Sequence, residues 1–373
     1  MRWDIFCTVI DNLGDIGVSW RLARQLAAEH GAAVRLWVDD LAAFQRLAPA
    51  LDPEAEVQTL EGIEVRRWAT PFAAVEPADV VVETFGCELP ESYVAAMAAR
   101  ARAPVWINLE YLSAEPWVVG CHGLPSPHPR LDLTKFFFYP GFEHGTGGLL
   151  MEKGLADRRL AFQSDEHAAG RFLQSIGVPQ RTQGETFISL FCYPQAPVGA
   201  LLDALAAGGR PVRVLAFAGT PAADVLAAHG LAGGRREGAL MAQVLPFLSQ
   251  DDYDRLLWSC DWNFVRGEDS FVRAQLAARP LVWQAYPQRG DAHRAKLDAF
   301  LDRYLEDAPA LTRANLARLW SVWNGFAAPA GLASAWAACG GEEYLKLARR
   351  WQERLAAPGD LAMNLAKFCA ERL

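Results

Sequence analysis

Trp3-Asp4-Ile5-Phe6-Cys7-Thr8-Val9-Ile10 is short, apolar and rich in β-formers, and it runs directly into Asp11-Asn12-Leu13-Gly14-Asp15-Ile16-Gly17. Beyond that loop, Val18, Leu22 and Leu26 recur at helical spacing among alanines as far as His30. A strand, a glycine-bearing loop and a helix in that order predict the opening of a βαβ unit, its strand buried in a parallel sheet. No other stretch constrains the chain as tightly, because ligands of such units gather at the carboxyl ends of the strands. Two carboxylates, Asp11 and Asp15, stand four residues apart at that place. The glycines let the backbone turn sharply and approach a ligand closely. The dinucleotide fingerprint G-x-G-x-x-G is missing, since Asp11 and Leu13 occupy positions its glycines would take. Acidic side chains would repel a pyrophosphate; they suit a sugar, a cationic acceptor or a proton-transfer step. An Asx-turn or a helix N-cap uses the same residue types, so the loop alone leaves both readings open.

The alternation continues through the first half. Ala33–Val38, Ala78–Phe85 and Pro104–Leu109 read as further strands, with a helix from about Pro90 to Arg102 between the last two. Residues 113 to 150 interrupt the rhythm with five prolines and the run Gly145-Thr146-Gly147-Gly148, and a loop-rich connection of that length usually has work to do. The pattern pauses again around Ile176 to Gly184 and then restarts with strands over Thr186–Tyr193, Pro211–Gly219, Leu240–Leu248, Trp262–Val265 and Pro280–Tyr286. From Asp291 onward the chain reads as almost wholly helical. The expected domains are 1–178 and 184–356, with a final helix at about 357–373 packing back on the first. The fold class is α/β, two facing Rossmann-like domains with an interdomain cleft and a helical C-terminal tail, which is the plan of a GT-B glycosyltransferase. Periplasmic binding proteins share that plan loosely, but they need an export signal.

The second constellation is Trp262-Asn263-Phe264-Val265-Arg266-Gly267-Glu268-Asp269-Ser270-Phe271. A strand ending at Val265 and helical periodicity from about Phe271 put Arg266 and Ser270 on either side of a turn at a helix N-terminus. Free N–H groups and the helix dipole favour a phosphate there. Arg266 could add a bidentate contact and Ser270 an N-cap hydroxyl, while Glu268 and Asp269 suit ribose or sugar hydroxyls. A capped helix with an acidic first turn accounts for the same residues. Upstream, Phe247 is a possible base-stacking ring and Gln250 a partner for a base edge, although a strand-end phenylalanine is more often core. Asp252-Tyr253-Asp254 matches a metal-binding D-x-D in form, but it falls where Ser249 to Asp252 should cap a helix.

Composition narrows the class. The length of 373 residues suits two domains, and 51% apolar with 21% charged residues describes a soluble globular protein. The apolar runs are strand-sized, too short to span a bilayer, and the first strand begins too early to leave room for a signal peptide. Seven scattered cysteines with no C-x-x-C pair point to reduced thiols in a cytoplasm and against a zinc site. The histidines show no metal spacing. A net charge of −8 disfavours nucleic acid as a partner and suits a basic protein or cationic acceptor.

Together, Asp11 to Val18, Lys135-Phe136-Phe137-Phe138-Tyr139-Pro140-Gly141-Phe142, Leu190-Phe191-Cys192-Tyr193 and Arg266-Gly267-Glu268-Asp269-Ser270 resemble the EarP family of protein-arginine rhamnosyltransferases. The likeness runs end to end, with the motifs in the same order. It implies a GT-B fold, dTDP-β-L-rhamnose as donor, and one arginine in the N-terminal domain of translation elongation factor P as acceptor. It further implies inversion, no metal or other cofactor, and a product that rescues ribosomes stalled at consecutive prolines. By the same resemblance Asp15 is the general base, Asp11 an essential support and Glu268 a second carboxylate needed for activity. Asn12, Leu13 and Gly14 would line the donor sugar; Tyr193, Phe247, Leu248, Ser249, Gln250 and the run Arg266, Gly267, Glu268, Asp269, Ser270 would hold the nucleotide. Two other readings compete: a GT-B enzyme with another donor or a small-molecule acceptor, and a non-catalytic nucleotide-binding regulatory protein.

Arginine chemistry limits the mechanism. A guanidinium holds its proton with a pKa above about 12, against about 3.9 for an aspartate. Full prior transfer across about 9 to 10 units would cost about 12 to 14 kcal/mol, at about 1.36 per unit. The base must therefore take the proton as the C–N bond forms.

Overall fold

The computed structural model describes residues 1–10, 13–288 and 292–373. The chain divides into two units, Met1–Lys153 with Leu355–Leu373, and Gly154–Arg354.

In the first unit the strands are β1 (Arg2–Cys7), β2 (Ala33–Val38), β3 (Val57–Leu60), β4 (Ile63–Arg67), β5 (Val80–Thr84), β6 (Val105–Leu109), β7 (Pro125–Pro127) and β8 (Thr134–Phe138). They form one sheet in the order β3-β4-β2-β1-β5-β6-β8-β7. All neighbours pair parallel except β3 with β4 and β7 with β8. Central register sets Ile5 opposite Leu36 and Val82, and these side chains join Trp20, Leu22 and Leu26 of the helix Gly14–His30 in the core. Apolar runs without alternation give strands buried on both faces, as a helix-covered parallel sheet requires.

Two features depart from the sequence reading. The β3–β4 hairpin turns through Glu61 and Gly62, both at positive φ (48° and 80°), and went unpredicted because Gln58, Glu64, Arg66 and Arg67 break the apolar signal of a strand at the sheet edge. The proline-rich stretch also contributes strands. β8 extends the sheet beside β6, and Pro125 and Pro127 are tolerated because β7 lies at the edge, where an N–H need not be donated.

The glycine run of this stretch is a clamp for the C-terminal segment. Leu361 donates its N–H to Leu149 O at 2.8 Å, Met151 donates to Asp360 Oδ1 at 2.9 Å, and Asn364 Nδ2 donates to Gly147 O at 3.0 Å. A Cβ on Gly148 (φ +77°) would lie 2.1 Å from the carbonyl oxygen of Gly359. The helix Leu361–Ala370 thereby packs against Gly14–His30, with Leu361, Leu365 and Cys369 in the first core.

The second unit has β9 (Thr186–Leu190), β10 (Val212–Phe217), β11 (Gly233–Glu237), β12 (Leu240–Leu245), β13 (Trp262–Arg266) and β14 (Leu281–Gln284), in the order β11-β12-β10-β9-β13-β14. Only the edge strand β11 runs antiparallel. The unit begins earlier than residue 184, a correction to the expected boundary. The helices Leu155–Ser164 and Glu166–Ser175 both pack on the helix Gln250–Ser259, and Phe172, Leu173 and Val178 share a core with Phe187 and Leu215. The polar pause at 176–184 is a loop inside this unit, since membership follows from where an apolar face is buried.

Candidate active site

Strand order locates the ligand-binding end of each sheet. In the first unit β1 is followed by β2 on one side while β5 leads to β6 on the other, so the topological switch point lies between β1 and β5. At the carboxyl ends of those strands stands Asp15, in the first turn of the helix Gly14–His30 and only 2% exposed. Its Oδ2 accepts the Ile10 N–H at 2.9 Å, and its Oδ1 accepts the Tyr111 hydroxyl at 3.2 Å. Its carbonyl accepts the Ser19 hydroxyl at 2.8 Å. The two donors fix the carboxylate from both of its oxygens. The N-cap position is held by Leu13, which makes no side-chain cap, so Asp15 is not the capping residue that an N-cap reading of the loop would need. Leu13 is buried and Gly14 opens the helix; Asp11 and Asn12 lie outside the described residues.

In the second unit the switch point falls between β9 and β13. The Arg266 guanidinium lies 4.5 Å from the ring centroids of both Phe191 and Tyr193, a cation–π contact with each ring. Tyr193 is held by its N–H, which donates to the buried Gln284 Oε1 at 2.7 Å. Gly267 takes φ +60° and its carbonyl accepts Trp283 Nε1–H at 2.8 Å. The helix Asp269–Leu276 follows, with Glu268 at its N-cap position. Ser270 is therefore inside the first turn and not an N-cap. Its hydroxyl accepts the Arg266 N–H at 3.2 Å and donates back to the Arg266 carbonyl, closing the turn on itself. Glu268 and Asp269 are half-buried at the same helix start.

Phe247, half-buried, follows β12 with its ring centroid 6.4 Å from that of Phe217. The Leu248 side chain belongs to the core. Ser249 caps the helix Gln250–Ser259 by accepting the Asp252 N–H at 3.2 Å, and Gln250 is buried in the first turn. The D-x-D carboxylates are committed elsewhere. Asp252 accepts Arg255 at 3.0 Å, and buried Asp254 accepts Arg273 Nε at 2.9 Å. Among the described residues no three His, Cys, Asp or Glu side chains converge as metal ligands. His122 and His128 serve the backbone, His122 Nδ1 accepting the Tyr139 N–H at 3.1 Å and His128 Nδ1 the Leu131 N–H at 3.0 Å.

Sequence reasoning did not single out Tyr111 or Gln284. Tyr111 follows the predicted strand Pro104–Leu109 by two residues, and Gln284 ends β14. Position at a strand's carboxyl end was the one local signal either of them carried.

The family model for elongation factor P (EF-P) rhamnosyltransferases, EarP, matches residues 3–370. A protein-arginine rhamnosyltransferase of Pseudomonas aeruginosa is 51% identical over 378 residues, covering 100% of this chain and 99% of that one. Its counterpart in Shewanella oneidensis is 39% identical over 394 residues, covering 98% and 97%. A solved structure described as the basis for EarP-mediated arginine glycosylation of translation elongation factor EF-P is 39% identical, with a TM-score of 0.70 over 100% of this chain and 99% of that one. Acinetobacter baumannii MurG, at 13% identity and a TM-score of 0.53 over 100% of both chains, shares the fold alone. Matched end to end in sequence and in architecture, this chain belongs to the EarP family of elongation factor P rhamnosyltransferases, glycosyltransferases of the GT-B fold.

Proposed function

We propose that this enzyme moves L-rhamnose from dTDP-β-L-rhamnose to an arginine in the N-terminal domain of EF-P, in the cytoplasm, with inversion and without a bound metal. The observation that carries the reading is Asp15, a buried carboxylate fixed by two donors at the switch point of the first unit. One guanidinium nitrogen attacks C1 of the rhamnose, and the C1–O bond to the diphosphate breaks with its electron pair leaving on dTDP. Asp15 takes the proton from that nitrogen as the new bond forms, which avoids the cost of a free neutral arginine. Asp11 supports this step by pairing the guanidinium charge, and Asn12, Leu13 and Gly14 line the donor sugar.

The nucleotide belongs to the second unit in this reading. Arg266 and the start of the helix Asp269–Leu276 offset the charge that develops on dTDP. Tyr193 and Ser270 act there by holding Arg266, and Phe247 offers a ring to the base. Leu248, Ser249 and Gln250 present backbone groups, while Gly267, Glu268 and Asp269 face the sugar hydroxyls.

The test is to incubate the protein with dTDP-β-L-rhamnose and unmodified EF-P and to weigh the factor. A gain of one deoxyhexose on arginine, in the presence of EDTA, is expected. Transfer only from another nucleotide sugar, or only to a small molecule, would overturn the donor or acceptor assignment. Nucleotide binding with no transfer to any acceptor would overturn catalysis altogether.

A further inference from the structure

We propose that Tyr111 is a positioning residue for the reaction, fixing the plane of the Asp15 carboxylate through its hydroxyl. This rests on the reading of Asp15 as the base. An aspartate's terminal torsion is soft and broadly distributed, so a single hydrogen bond leaves its carboxylate free to rock. Here two donors grip opposite oxygens: the Ile10 N–H on Oδ2 at 2.9 Å and the Tyr111 hydroxyl on Oδ1 at 3.2 Å. They arrive from different places, one just beyond β1 and the other just beyond β6. Rotation of the carboxylate would break one bond or the other.

Tyr111 is itself held by a ring. Its side chain stacks on Phe85 with centroids 4.4 Å apart and planes 17° from parallel. Phe85 follows β5 at the switch point and adopts φ +57°, a conformation that bulky L-residues rarely enter. Its N–H donates to Leu109 O at 2.7 Å, and the Gly86 N–H donates to Asn108 Oδ1 at 3.2 Å. The turn is thereby tied to β6, and the strained backbone holds an aromatic platform beneath the tyrosine. Such strain persists where surrounding structure over-determines it, commonly at functional sites. Stacking alone would be served equally by phenylalanine; what tyrosine adds is the hydroxyl, and that hydroxyl meets Asp15. Alignment matters more here than in most proton transfers, because the guanidinium gives up its proton only as the C–N bond forms.

Tyr111→Phe keeps the ring and deletes the hydroxyl. Single-turnover transfer to EF-P should slow by about 5- to 50-fold, while dTDP affinity, donor KM and thermal midpoint stay within error of wild type. In an Asp15→Asn background the same change should cost nothing further, since there is no base left to align. Wild-type turnover by Tyr111→Phe would overturn the proposal, as would an equal loss in the Asp15→Asn background. If Asp15→Asn alone transfers at the wild-type rate, the reading of Asp15 as base falls, a separate and recognisable result. Phe85→Leu guards against a folding artefact. It removes the platform and leaves the hydroxyl, so it should slow transfer less than Tyr111→Phe, and a larger loss would assign the effect to the ring.

Discussion

The two sheets share a topology and carry side chains of opposite charge at their switch points. Each has a switch point next to its first strand, β1 with β5 and β9 with β13, and each follows a strand end there with a helix N-terminus. At the first unit's end the fixed group is an anion, Asp15, held by an amide and a phenol. At the second it is a cation, Arg266, held between two aromatic faces. The amino ends of the sheets do not differ this way. Asp4 is closed by Arg35 at 2.5 and 2.6 Å, and Glu185 by Arg213 at 2.8 Å, so that each buried carboxylate is paired within its own unit. A doubly wound sheet thus specifies where a ligand goes, and the side chain placed at the strand end specifies its charge.

The largest effect should come from removing the anion. Asp15→Asn keeps size and hydrogen bonding but cannot accept a proton, and kcat should fall by about 10² to 10⁴ with dTDP affinity intact. Single-turnover rates at saturating donor measure it, and near-wild-type transfer would reduce Asp15 to a structural group. Removing the cation should act on the other ligand. Arg266→Leu should weaken dTDP binding by about 2 to 3 kcal/mol, a loss of one or two charge-assisted contacts, seen by calorimetry. An unchanged affinity would mean that the second sheet does not select its ligand through this guanidinium.

Phe247→Ala separates base stacking from charge. A ring that stacks on the thymine should be worth about 1 to 3 kcal/mol of dTDP affinity, whereas a ring that only packs on Phe217 would lower the thermal midpoint and leave binding alone. The smallest effect on activity belongs to Gly148→Ala. Its Cβ would meet the Gly359 carbonyl at 2.1 Å in a backbone at φ +77°, costing about 1 kcal/mol or more of stability. Thermal unfolding should shift downward while transfer at low temperature persists, since the substitution removes no group assigned to the reaction.

Local pattern was enough for the strands at the centre of both sheets. Ala33–Val38 and Pro104–Leu109 show as apolar runs, β5, β9, β10, β12 and β14 fall inside predicted strands, and β13 runs one residue past its predicted end, because a strand buried on both faces needs little but apolar residues. The polar and proline-bearing strands were not legible. β3, β4 and β11 carry polar side chains, and β7 carries two prolines, so their pairing shows only once the neighbouring strand is in place. The helices of 155–175 read as part of the first domain because sequence proximity is all a linear pattern records; their apolar faces turn instead to Phe187 and Leu215.

The sites divide along the same line. The sequence by itself determined that acidic residues follow the first strand and that Arg266 to Ser270 form a turn at a helix N-terminus, since both rest on neighbours a few positions away. Only the tertiary structure decided what those groups do with each other's help. Tyr111 reaches Asp15 across 96 positions of sequence, and Gln284 reaches Tyr193 across 91. Ser270 turned from an expected cap to a latch on Arg266, because the helix starts one residue before it and its hydroxyl faces the preceding strand end. A hydrogen bond between distant strand ends leaves no periodicity or spacing behind it, so it exists for the reader only when the sheet has brought those ends together.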